Sequence, residues 1–302
     1  MRKALGIVAL FAFLFVSPTA EPRSGAVSLA IVRRDGVLIP FAVFDGKRWN
    51  DPWPPPQVEL EVPINVASVP KGWWGDTGPV SDWHLWTMPA SAPQTIHVTQ
   101  PTWIPVHCVR QIGLQSDYRS SFPIPPPEDE PYAKDGIAIS SADAISPVTI
   151  VPPQEAELGA DFVENFNHGE TVWDRRYGHP VSKRVREHEP PTVEALYRFG
   201  TNPTVSYIEA SRQYHGKTDD SCTAMAFGTG WLVGGKSQHV FVDVLQCDKY
   251  GASYMLPFGV LRVAGRSFWI AQFSSWDDER YAIVEIKKDR METVMNAWGG
   301  GC

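Results

Sequence analysis

Tryptophan is the residue type in this chain best suited to recognising a ligand, and its distribution is uneven. Seven of the twelve, Trp49, Trp53, Trp73, Trp74, Trp83, Trp86 and Trp103, fall within a stretch of 55 residues. Several adjoin glycine, proline or aspartate, as in Trp73-Trp74-Gly75-Asp76 and Ser81-Asp82-Trp83-His84. An indole offers a broad flat face and one polar N–H, a combination that stacks on a sugar ring or a proline-rich peptide. Trp49, Trp53, Trp73, Trp74, Trp83 and Trp86 are therefore the candidate ligand-binding residues, and a neutral glycan or an extended peptide is the candidate ligand. The same rings have a competing use. A β domain without long aliphatic strands fills its core with the largest apolar side chains it has, and the balance favours that use. If these loops bind, exposed Trp73, Trp74 or Trp83 should form a contiguous patch, and burial of all three would remove the binding reading.

The titratable residues offer weaker candidates. Asp161, Glu164 and His168 stand at i, i+3 and i+7 of an expected helix, with Glu157 and Glu170 nearby. Such a set could hold a metal or act as an acid–base pair, but helical charge is far more often a solvated face, which is the expectation here. In His107-Cys108, a base directly precedes a thiol in sequence, yet neighbours in a strand point to opposite faces. A disulfide is expected of that cysteine instead. His239 and Asp243 share a strand face with Phe241 between them, so packing is expected. None of the remaining histidines has metal-ligand spacing, and neither metal nor cofactor is expected. The chain lacks Gly-x-Ser-x-Gly, His-Glu-x-x-His, Cys-x-x-Cys and EF-hand signatures, which lowers the case for an enzyme. The reading is a non-catalytic binding or structural protein whose partner is a glycan, a peptide or an envelope protein. The alternative is a secreted hydrolase with loop-borne carboxylates. It requires two carboxylates, or a carboxylate and a histidine, to meet in a cleft with shifted pKa.

Cys108, Cys222, Cys247 and Cys302 form an even set, as in proteins of oxidising compartments. Gly234-Gly235 lies between two β-type runs and reads as a two-residue hairpin turn, since both central positions can take φ > 0. Val233 then faces Lys236, and counting back along both strands sets Cys222 opposite Cys247 at a non-hydrogen-bonded pair. There the Cα atoms approach to about 4.5 Å, within disulfide reach. A bulge at Gly228 or Gly230 would shift the count by one. Cys108 and Cys302 are left for each other.

Met1-Arg2-Lys3, the apolar run 4–16 and Ser17-Pro18-Thr19-Ala20 have the order of a secretory signal peptide over residues 1–20. The run is shorter than the roughly 20 apolar residues that span a bilayer. A mature chain from Glu21 would lose Arg2 and Lys3, leaving 25 basic and 34 acidic side chains, a net −9 against −7 for the whole sequence. That charge argues against nucleic acid and anionic membranes as partners. A secreted or periplasmic location is expected, with no membrane insertion after signal cleavage.

The elements that must position these residues are mainly β. Of 27 prolines, 25 lie between Pro22 and Pro203. Because proline removes a ladder donor, the first part should consist of short strands and extended loops. The expected fold is a Pro/Trp-rich short-strand β domain over 21–153, a partly helical connector over 154–203, and an antiparallel six-stranded meander with a C-terminal helix over 204–302. Early strands are expected at 26–32 and 37–44 around Asp35-Gly36, then at 58–62, 95–98, 104–112 and 148–151. Helices are expected at 155–166 and 192–199. The meander strands are expected at 204–214, 222–233, 238–247, 254–263, 267–276 and 281–287. Met291, Val294, Met295 and Trp298 recur at i, i+3, i+4 and i+7 behind the capping-box spacing of Asp289 and Glu292. They predict the terminal helix that covers the meander.

Overall fold

The computed structural model describes residues 26–53, 56, 82–88, 92–127, 131–178, 183–215 and 221–302. The expected signal peptide and the expected strand at 58–62 lie outside the described residues. The first seven strands are β1 (Val27–Arg33), β2 (Val37–Phe44), β3 (Trp49–Asn50), β4 (Asp82–Thr87), β5 (Gln94–Val106), β6 (Val109–Ser116) and β7 (Lys134–Ile139). They pair in the order β1-β7-β4-β5-β6-β2, and the β1–β2 hairpin closes the ring, with β3 added to β2. Closure removes the sheet edges that short, proline-interrupted strands would otherwise leave open. Alternation along each strand sorts the side chains. Ala30, Val32, Leu38, Trp83, Leu85, Ile96, Val98 and Leu114 fill one cluster, the barrel interior. Leu29, Ile31, Ile39, Phe41, Ile137 and Ile139 point outward into a second core.

The remaining strands are β8 (Ile145–Ser146), β9 (Thr149–Val151), β10 (Thr192–Phe199), β11 (Val205–His215), β12 (Cys222–Val233), β13 (Lys236–Leu245), β14 (Tyr254–Val263), β15 (Arg266–Ser274), β16 (Asp278–Ile286) and β17 (Met291–Gly301). They form two antiparallel five-stranded sheets, β13-β12-β11-β10-β9 and β17-β16-β15-β14-β8. Helix α1 (Ala160–Tyr177) and the short α2 (Lys183–His188) lie between β9 and β10 in the chain. The result is a stack. The outer barrel wall packs on Phe268, Ile270, Tyr281 and Ile283 of the β14–β17 sheet. Trp269, Ala271, Ala282 and Val284 on its other face meet Val205, Tyr207, Trp231 and Val233 of the β9–β13 sheet. Phe162 and Phe166 of α1 cover the outer face of that second sheet. Gly228 and Gly230 on β12 make room for them: a Cβ on Gly228 would stand 2.6 Å from the Phe166 ring. Both rings are 0 % exposed, and each contributes about 2 kcal/mol by burial.

The mainly antiparallel β architecture is the one expected, and several elements within it differ. All six meander strands form, but the chain leaves one sheet after β13 and enters the other at β14. The terminal helix is absent, and its residues form β17. Opposite β16, Val294 and Gly299 are extra residues at two bulges. Met291 packs into the core between the two sheets, Val294 and Met295 pack on the barrel side, and Trp298 is 45 % exposed, so the helical spacing of these four does not mark one buried face. Residues 192–199 are likewise strand β10, paired on both sides by β9 and β11. The helix expected at 155–166 begins at Ala160 and runs to Tyr177, where Gly178 caps it in the left-handed region (φ 68). The strand expected at 104–112 is broken by a hairpin turn at His107-Cys108, with His107 at φ 51.

Both disulfides form as paired from the sequence, Cys108–Cys302 with Cα atoms 4.9 Å apart and Cys222–Cys247 with 6.0 Å. The register between β12 and β13 follows the count from Val233–Lys236 only as far as Trp231–Gln238. A bulge at His239-Val240, opposite Gly230, then shifts it by one, so Thr229 faces Phe241. His239 takes φ 52 there. The cysteines bridge from displaced positions, at a wider Cα separation than a directly facing pair.

Candidate functional site

The loop joining β13 to β14 carries Cys247, Asp248, Lys249, Tyr250 and Ala252, and it is tightly folded. Its base is held by the Cys222–Cys247 bond. Backbone bonds run from Lys249 N to Gln246 O and from Ala252 N to Lys249 O, and Tyr250 N donates to Asp248 Oδ1 at 3.0 Å. Lys249 sits in the left-handed region at φ 64. Its Nζ donates to both Glu194 oxygens at 2.8 and 2.7 Å, and the Tyr254 hydroxyl donates to the same carboxylate at 3.2 Å. Glu194 reaches this position because β10 bulges between Val193 and Ala195.

Facing this loop is the short turn between β15 and β16, with Trp276 at its tip and Ser275 N bonded to Asp278 O. Together with Pro131 and Ser274 the two loops enclose a cleft of about 580 Å³, lined also by Lys249, Tyr250, Tyr254, Ser275 and Trp276. Trp276 is 71 % exposed and Tyr250 56 %, and their rings lie 6.0 Å apart at 44°. Trp298, 45 % exposed, donates its Nε1 to Asp278 Oδ1 at 3.1 Å at the base of the same turn. Two tilted aromatic faces above hydroxyl, carboxylate and ammonium groups can stack on an apolar ring face and hydrogen-bond its polar rim.

Behind the cleft wall lies Glu209, which accepts from Met255 N at 2.6 Å. Burial raises its pKa to about 7, against which the Met255 bond works, while the nearby Glu194 charge pushes it further up. Burial likewise raises the Tyr254 phenol well above its ordinary value, with Glu194 adding to the shift. Neither Glu194 nor Glu209 lines the cleft. They hold Lys249, Tyr254 and the β14 backbone in place rather than offering a reacting group to the opening.

The tryptophans singled out in the sequence lie elsewhere. Trp83 is fully buried inside the barrel, where Trp53 joins it. Trp49 packs against Phe44 and Phe268, and Trp86 is half-buried against the core between barrel and sheet. Trp73 and Trp74 lie outside the described residues. Asp161 is tied to the Ser237 backbone and hydroxyl, which lowers its pKa, while Glu164 and His168 are exposed. Glu170 departs from the solvated-face expectation: it is 0 % exposed and accepts from Arg212 and Tyr214. His239 bonds Met291 O and Asp243 bonds Trp173 Nε1, so those two serve separate packing contacts. Among the described residues no group of three metal-ligating side chains could hold an ion.

Residues 230–237, Gly-Trp-Leu-Val-Gly-Gly-Lys-Ser, have the spacing of a phosphate-binding loop, but they form the β12–β13 hairpin instead of a loop leading into a helix. The Asp161 carboxylate already occupies the Ser237 N–H. His97 and Asp82 meet at 2.6 Å on the barrel surface, yet both are more than half exposed. The signal for the cleft was present in the sequence. Trp276 precedes Asp277-Asp278, and a tryptophan beside a turn of acids is placed at a loop tip. Comparisons with protein-family models, with curated proteins and with solved structures return no match.

Proposed function

We propose that the protein is an exported binding module that takes a neutral ligand, in first place a glycan, in the cleft between the β13–β14 and β15–β16 loops. The observation that carries this reading is the pair of exposed rings, Trp276 and Tyr250, set over Ser274, Ser275, Asp248 and Lys249. Exposed aromatics rimmed by polar groups mark recognition surfaces. The net charge of −7 disfavours polyanionic ligands. Export is supported by the two disulfides and by the sequence of residues 1–20, and no helix among the described residues is long and apolar enough to cross a membrane. The hydrolase alternative draws on Glu209, whose raised pKa suits an acid, but its burial behind the wall keeps it from a substrate.

The test is intrinsic fluorescence and calorimetry of the purified protein against cello-, chito- and malto-oligosaccharides beside a polyproline peptide. A saturable response to an oligosaccharide is expected. Trp276→Ala should weaken it roughly 30-fold or more, the scale of a central aromatic contact, with the melting temperature unchanged. Equal binding by wild type and Trp276→Ala, or silence across the sugar panel, overturns the proposal. A response to polyproline alone would assign the cleft to peptides.

A further inference from the structure

A buried polar cluster that the cleft does not use lies between the barrel and the β14–β17 sheet. Lys134 of β7 enters it from the barrel, and Gln272 of β15 with Glu279 and Tyr281 of β16 enter from the sheet. The side chains of Lys134 and Glu279 are 2 % and 1 % exposed, and Gln272 is equally enclosed. Gln272 faces Tyr281 across the ladder, which sets Glu279, two residues before Tyr281, on the same sheet face. Lys134 Nζ stands 3.0 Å from Glu279 Oε2, and Gln272 Nε2 stands 3.2 Å from that same oxygen. The amine and the carboxamide are therefore no farther apart than the sum of those two distances. Nζ is aimed further by the Tyr132 carbonyl at 2.8 Å, and the Tyr281 hydroxyl donates to Glu279 Oε1. Gln272 Oε1 is buried with no hydrogen-bond partner, which leaves the carboxamide dipole uncompensated on one side.

An amine, a carboxamide and a carboxylate shared between them, all shielded from water, are the groups an acyl transfer from glutamine to lysine needs. Burial disfavours the ammonium form of Lys134 and drives its pKa down, although the Glu279 charge opposes the shift. A dry interface also makes an ion pair costly compared with a neutral amide.

We propose that Lys134 and Gln272 join in an intramolecular isopeptide bond, with Glu279 carrying the protons. Lys134 passes a proton to Glu279, leaving a neutral amine and a carboxylic acid. The Nζ lone pair forms a bond to Gln272 Cδ, and the carbonyl π pair moves onto Oε1. Glu279 gives its proton to Nε2 and takes one from Nζ. The Oε1 pair then re-forms the carbonyl, the Cδ–Nε2 bond breaks, and ammonia leaves, taking up the remaining proton from Glu279 as ammonium. Nothing is oxidised or reduced, and no further reactant is required. The product is a secondary amide that clamps the barrel to the adjacent sheet within their buried interface, a second covalent tie beside the Cys108–Cys302 bond at the end of β17.

Denaturing mass spectrometry of the purified wild-type chain tests this directly. After allowance for the two disulfides and for any residues removed from the N-terminus, its mass should fall short of the sequence mass by one ammonia. After reduction and tryptic digestion, the peptide 267–280 should be missing in free form and recovered joined to the peptide that contains Lys134. Lys134→Arg and Glu279→Gln should each restore the full mass and the free 267–280 peptide. Should those variants fail to fold, the wild-type digest still decides. Full wild-type mass with 267–280 recovered free, or a mass deficit mapped to other residues, overturns the proposal.

Discussion

Trp83 and Trp276 carry the same indole into opposite roles because of their neighbours. Trp83 stands on a barrel strand whose inward positions are apolar, and it is fully buried. Trp276 stands beside two aspartates on a turn too short to fold back over it, and it stays 71 % exposed. Glu209 shows the same dependence on surroundings in its titration. Burial raises its pKa from 4.5 to about 7, so in that window the folded chain binds a proton that the unfolded chain has released. Its contribution is full below pH 4.5 and is lost as the pH climbs through about 7. The span corresponds to about 3 kcal/mol. Glu209→Gln keeps an acceptor for the Met255 N–H and removes the titration. Thermal denaturation should show a flatter dependence between pH 4.5 and 7 than wild type, and a higher melting temperature above pH 7. A slope identical to that of wild type would remove Glu209 as its source.

Among the elements, bulges decide most of what the strands do. The bulge at His239-Val240 moves β13 by one residue and leaves Cys247 one residue short of the position facing Cys222, yet the disulfide still closes and fixes the base of the loop that holds Lys249 and Tyr250. The bulge in β10 turns Glu194 toward that loop. Replacing both Cys222 and Cys247 by serine should therefore act twice. Loop-closure entropy puts the loss of stability at roughly 3 kcal/mol, to be read from urea denaturation. Oligosaccharide affinity should fall as well, because Tyr250 then rests on an unanchored loop. A variant that loses stability and keeps its affinity would show that the cleft is held by the Lys249–Glu194 contact alone. Hairpin turns are legible in the residues themselves: Gly234-Gly235 and Asp35-Gly36 allow left-handed backbone where the chain reverses, with Gly36 at φ 86 and Gly234 and Gly235 at φ 58 and 85. Strand β17 is not, since its apolar residues at helical spacing divide between the two faces of the sheet, Met291 on one and Val294 and Met295 on the other.

Across the whole molecule, the Cys108–Cys302 bond joins the β5–β6 turn of the barrel to the end of β17, spanning 194 residues. Closing so long a loop restricts the unfolded chain strongly, and replacing both cysteines by serine should cost up to about 5 kcal/mol. Guanidinium denaturation of that double variant should show the midpoint falling, and an unchanged midpoint would mean that other contacts already close the loop. The layered order explains why residues 145–151 supply β8 and β9 to the C-terminal sheets rather than to the barrel that precedes them. They run from the barrel along the edges of both sheets, and each sheet takes one short strand from them. What the sequence by itself determined was local or covalent: β-rich composition, turn glycines, strand alternation, and an even set of cysteines with few pairings open. These follow from backbone sterics and pattern within a few residues. Only the tertiary structure decided which tryptophans face water, where the meander changes sheets, and that Lys134, Gln272 and Glu279 meet. Such outcomes depend on packing between segments more than a hundred residues apart, and a side chain's own type does not encode what will be folded against it.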